Sequence, residues 1–175
     1  MRGEHARNGL RGPFGAAMKT SFDDLGGFRA AVLAAVLDAA QGQARQLVMV
    51  DPDFADWPLD EPALTEALSV FARRPGRELQ LLAADYERVR RSCPRFTRWR
   101  TLFGHAVDAR LATDEQAELP GVVVVDGCRA VRLDDRRHGR GCTFDDPPEV
   151  HALRQSIDAL LQRASPGFAA TTLGL

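Results

Sequence analysis

The chain has 175 residues, a net charge of −1 and a hydrophobic content of 45%, proportions of one globular domain with a real core. That balance excludes a bulk field drawing it to nucleic acid or membrane, so an electrostatic partner must be recognised by a local patch. Three cysteines, Cys93, Cys128 and Cys142, make no disulfide framework and fit a reducing cytoplasm, and no apolar run of about 18 residues offers a membrane span.

Residues 1–20 are rich in Arg and Gly, lack the apolar stretch of a secretory signal, and read as a disordered tail in which Met18 is a second candidate start. Leu25, Phe28, Val32, Ala35 and Ala39 then recur at helical spacing until Gly42. The short run from Gln46 to Asp51 predicts a buried strand ended by Asp51-Pro52-Asp53. Asp60-Glu61-Pro62 opens a second helix with Leu64, Leu68 and Phe71 on one face, closed at Pro75-Gly76. Residues 78–83 predict the next strand, and residues 94–104 a helix with Phe96, Trp99 and Phe103 on one stripe. Residues 106–111 alternate with period two, and residues 119–133 read as two strands around a tight turn at Asp126-Gly127. A last helix starts near Pro147-Pro148, capped by Asp145 or Asp146, and buries Val150, Leu153, Ile157, Leu160 and Leu161. Helix and strand alternate before the hairpin, so the expected architecture is α/β, a mixed sheet flanked by helices, with the domain over 21–168 and a tail over 169–175.

The strand pair around Asp126 resembles the pair that carries the H-x-K-x-x-x-x-D signature in phospholipase D-like proteins. More closely, Asp51-Pro52-Asp53-Phe54 with Trp57-Pro58, the run Pro94 to Arg100, and Thr143 to Pro147 resemble an uncharacterised bacterial domain family with that fold, sometimes attached to acetyltransferases. The resemblance covers roughly residues 25–168 and implies an α-β-α sandwich corresponding to one half of a phospholipase D-like protein. With Asp126 at the signature aspartate, the histidine position holds Leu119 and the lysine position holds Gly121. That chemistry needs the imidazole as nucleophile and the ammonium to hold phosphate. No Gly-Ser-x-Asn segment follows, Gly141-Cys142-Thr143 being the nearest approach, so no catalytic residue is carried over.

Two arginine clusters have binding potential. Arg88, Arg90, Arg91, Arg95, Arg98 and Arg100 interleave with Phe96 and Trp99, and Arg129, Arg132, Arg136, Arg137 and Arg140 surround the hairpin. Such a pattern grips phosphates and stacks bases, or else solvates a helix that buries its aromatics. The candidate ligand-binding residues are Arg95, Arg98, Trp99 and Arg100, with Tyr86 and His105 as neighbours. Asp51, Asp53 and Asp85 follow strands, where aspartate caps turns or serves as ligand or acid. Cys128, His138 and Cys142 fit no common zinc spacing, and neither a P-loop nor a dinucleotide fingerprint is present, so no metal or cofactor is expected. Three functional readings follow, in this order. The first is a non-catalytic domain recognising an anionic ligand or nucleic acid. The second is a homodimerising interaction domain, in which an acetyltransferase association would also belong. The third is a divergent phosphoester hydrolase using Asp51, Asp85 and His105.

Overall fold

The computed structural model describes residues 17–113 and 118–170. In chain order the elements are β1 (Lys19–Phe22), α1 (Leu25–Gln41), β2 (Gln46–Val50), α2 (Pro62–Ala72), β3 (Glu78–Ala83), α3 (Glu87–Ser92), α4 (Pro94–Leu102), β4 (Val107–Leu111), β5 (Gly121–Val125), β6 (Arg129–Asp135), β7 (Arg140–Phe144), α5 (Pro147–Arg163) and β8 (Ser165–Pro166). The strands form one sheet in the order β1-β7-β6-β5-β2-β3-β4-β8. Strands β2, β3 and β4 run parallel, while every other pairing is antiparallel.

Alternation along the central strands builds two cores. Leu47 and Met49, Leu79 and Leu81, and Val123 and Val125 face one side with residues of α1, α2, α3 and α4. Val48 and Val50, Leu82, and Val122 and Val124 face the other, packed by Val150, Ile157 and Leu161 of α5. A sheet covered on both faces accounts for the unbroken apolar runs of β2 and β5. The expected α/β sandwich with a mixed sheet is therefore the observed one.

Local chemistry sets the element ends. Asp24 caps α1 by accepting from the Gly27 N–H, and Asp146 caps α5 by accepting from the Glu149 N–H. At the α1 C-terminus, the buried Arg77 donates to the carbonyls of Ala39, Ala40 and Gly42. The Asp126-Gly127 turn forms as expected, with both residues at positive φ and the Cys128 N–H bonded to the Val125 carbonyl.

Three expectations change. The strand read over residues 106–111 starts at Val107, because residues 104–106 form a 3₁₀ turn. The hairpin strand read from residue 119 starts at Gly121. Lys19–Phe22 pairs with β7, so Lys19 and Thr20, read as tail, lie in the sheet. Most of that tail (residues 1–16), together with residues 171–175 of the C-terminal one, lies outside the described residues.

Candidate functional site

Antiparallel pairing of β5 with β2 and β6 puts Asp51, Gly121 and Leu133 side by side at one end of the sheet. Asp51 follows β2, is fully buried, and receives five donors. Its Oδ1 accepts from the N–H groups of Asp53 at 3.1 Å and Phe54 at 2.8 Å. Its Oδ2 accepts from Trp57 Nε1 at 2.8 Å and Arg136 Nη2 at 2.7 Å, and Arg136 Nη1 lies 3.4 Å from Oδ1. The same guanidinium stands 3.6 Å from Asp56. Phe54 sits at positive φ, the conformation that turns its N–H toward the carboxylate in this tight loop.

Gly121 makes this arrangement possible. A Cβ there would lie 3.1 Å from Asp51 Oδ2, 3.2 Å from Arg136 Nη2 and 3.2 Å from Leu133 Cβ. The ion pair thus stands against the position where the resemblance would place a lysine. Leu119, where the resemblance would place the histidine, is buried. Both line a cleft of about 490 Å³ together with Glu118, Pro120, Leu133, Asp134, Asp135 and Arg136. Among the described residues lining this cleft there is one guanidinium, half-exposed and already committed to two carboxylates, and no ammonium; the imidazole at this end, His138 in the β6–β7 turn, stands outside the lining with Nδ1 2.7 Å from Asp135 Oδ2. Asp126, where the resemblance would place the signature aspartate, is at the other end of β5, about 16 Å away at the rise of a strand. There its Oδ1 accepts from the Arg45 and Gln46 N–H groups at 2.8 and 2.7 Å and holds the start of β2.

A second feature lies between α2 and α4. Arg95, Arg98, Trp99 and Leu102 follow one another at i, i+3, i+4 and i+7 on α4, facing Thr65, Glu66, Ser69 and Arg73 of α2 across a groove of about 470 Å³. Arg73, Arg95 and Arg98 are exposed, and their side chains make no ion pair among the described residues. The groove therefore brings together the two exposed sequence candidates Arg95 and Arg98 with Arg73, an arginine 22 residues before Arg95.

The remaining candidates are buried or elsewhere. Trp99 is 4% exposed and stacks between Phe96 and Phe103 at centroid distances of 5.5 and 5.4 Å, so its faces are already used. Arg100 is 7% exposed, its Nε and Nη1 find no acceptor among the described residues, and burial pulls its pKa below the usual guanidinium value. Trp99 Nε1 and Thr97 Oγ1 are also unpartnered, so α4 carries every buried unsatisfied side-chain atom found among the described residues. Each such atom costs about 1–3 kcal/mol. Tyr86 is buried, stacked on Phe168 at 4.8 Å, with its hydroxyl donating to the Arg110 carbonyl. His105 precedes β4, at the opposite end of the parallel strands from Asp51 and Asp85, so the set Asp51, Asp85 and His105 is not assembled. The aspartates cap turns instead: Asp53 accepts from the Ala55 N–H and Asp85 from the Glu87 N–H.

The two arginine clusters meet only through pairing. Arg88 from the first approaches Asp53 at 3.7 Å, while Arg136 from the second takes Asp51 and Asp56 in the same loop. Arg129 is spent on Asp38, and Arg132 on Asp134 and Glu149. The Asp51–Arg136 pair spans 85 residues, and no local sequence signal announces it.

No protein-family model matches the chain, and no curated protein sequence matches it. Solved structures do. TrmBL2, an archaeal chromatin protein with a novel mode of DNA binding, superposes with a TM-score of 0.59 at 8% identity, over 90% of this chain and 57% of that one. The chain thus spans little more than half of that protein. Nuc from Salmonella typhimurium, a phospholipase D family member, gives 0.57 at 13% identity over 86% of this chain and 98% of its own. NucT from Helicobacter pylori gives 0.55 at 13% identity over 86% and 99%. At such identities the likeness is one of fold alone. The eight-stranded mixed sheet between two helical layers thus shares the fold of these phospholipase D family structures.

Proposed function

We propose that the chain is a non-catalytic binding domain that recognises an anionic partner through the arginines of the α2–α4 groove. The observation that carries this reading is the filled end of the sheet. Leu119 and Gly121 supply neither nucleophile nor phosphate-holding cation, and the Asp51–Arg136 pair lies against the space a longer side chain at residue 121 would need. Three arginines that make no ion pair among the described residues supply charge on a groove not tied to that chemistry. The fold likeness to a chromatin protein described as binding DNA supports an anionic partner in the same sense.

The test is fluorescence anisotropy of a labelled single-stranded oligonucleotide, used as a generic polyanion, at low and moderate salt. Saturable binding that weakens with salt is expected, and Arg95→Ala/Arg98→Ala should weaken it about tenfold by removing two charge contacts. Binding indifferent to that double substitution would move the site elsewhere, and no binding at low salt would remove the anion-recognising role. Turnover of a phosphodiester by the wild type, lost in Arg136→Ala with the fold intact, would overturn the non-catalytic reading.

A further inference from the structure

We propose that the α2–α4 groove docks an acidic amphipathic helix of a partner protein; this rests on the anion-recognising role above and names its partner class. The groove is not simply a basic surface. Its α4 side alternates charge with apolar area, and Leu102 at its end is 68% exposed, one of the few large apolar side chains left in water among the described residues. Trp99 and Phe103 continue the apolar lining beside Leu102.

A nucleic-acid strand makes poor use of such a groove. The aromatic faces that would stack bases are already occupied by one another in the Phe96–Trp99–Phe103 stack. An exposed leucine offers nothing to a phosphate backbone. A helix with an apolar stripe along the floor and carboxylates on the flank that meets α4 matches both features, with Arg95 and Arg98 on that side and Arg73 beside Glu66 on the other. The nine residues of α4 span about 14 Å at the helical rise, which corresponds to two to three turns of an occupant.

The experiment uses the full chain and three labelled probes. One is a peptide of about 15 residues, long enough to hold helix, with leucines at i, i+3, i+4 and i+7 and glutamates on the flanks. The second has the same composition in scrambled order, and the third is the single-stranded oligonucleotide. The amphipathic peptide should bind about tenfold more tightly than the scrambled one, the scale of burying one leucine side chain. Leu102→Ser, at an exposed position, should erase that margin while circular dichroism stays unchanged. Arg95→Ala/Arg98→Ala should weaken both peptides. Equal affinity for the two peptides, or indifference to Leu102→Ser, overturns the proposal. An oligonucleotide that outcompetes both peptides also overturns it while leaving anion recognition standing. Failure of all three probes removes both readings together.

Discussion

Asp51 is a fully buried carboxylate whose charge is balanced by a single cation. Burying a carboxylate is unfavourable unless its oxygens are hydrogen-bonded, and here two backbone N–H groups, an indole and a guanidinium do that. Removing Arg136 leaves the carboxylate buried with three donors and no counter-charge. Arg136→Ala should therefore lower unfolding free energy by about 2–3 kcal/mol, read from the urea midpoint. Arg136→Lys should recover only part of this, because an ammonium cannot span both oxygens. A midpoint unchanged in Arg136→Ala would mean that the three N–H donors alone hold Asp51. Sequence reading placed Asp51 correctly as a turn cap and placed Arg136 in a basic cluster. It could not join them, since the pair depends on a strand order that brings together residues 85 positions apart.

Elements defined by their own periodicity were legible. The helices α1, α2, α4 and α5 carry apolar stripes, and the Asp126-Gly127 turn has the chemistry that positive φ at both positions demands. The strands β1 and β7 were not legible, for a physical reason. Lys19–Phe22 is an edge strand with almost no buried residue, so alternation has nothing to register. In β7, Gly141 sits where a Cβ would meet the Arg132 carbonyl oxygen and the Phe22 ring. Close approach between neighbouring strands selected a residue that reads locally as a strand breaker.

The hairpin turn also gives the clearest test at this scale. Asp126 contributes hydrogen bonds to the start of β2 and tolerates a left-handed conformation. Asp126→Ala loses both contributions and should cost about 2 kcal/mol, whereas Asp126→Gly loses only the bonds and should cost about 1 kcal/mol. Equal midpoints for the two variants in denaturant would show that the turn conformation is not under strain.

At the scale of the whole molecule, Tyr86 reports on integrity, because it is the chain's sole tyrosine and lies in the helical-side core. Burial raises its phenol pKa well above the ordinary value, with the nearby Arg100 guanidinium acting in the opposite direction. The neutral phenol is thus favoured by the folded state. Its contribution is complete below the unfolded pKa of about 10 and is lost as pH rises toward the higher folded value. Phenolate absorbance should accordingly appear together with loss of the helical circular dichroism signal. Ionisation near pH 10 with the helices intact would show that Tyr86 is open to water.

By itself, the sequence determined the helices α1, α2, α4 and α5, the central strands, the hairpin turn and the α/β class. These are set by periodicity, turn chemistry or residue identity within a few positions of one another. Only the tertiary structure decided that Arg136 closes on Asp51, that Arg73 joins Arg95 and Arg98, and that Trp99, Arg100 and Tyr86 turn inward. It also decided that His105 stands at the far end of the sheet from Asp51. Those outcomes depend on strand order and on which helix face the two cores claim, and both are settled by burying apolar surface across the whole chain rather than within any one segment.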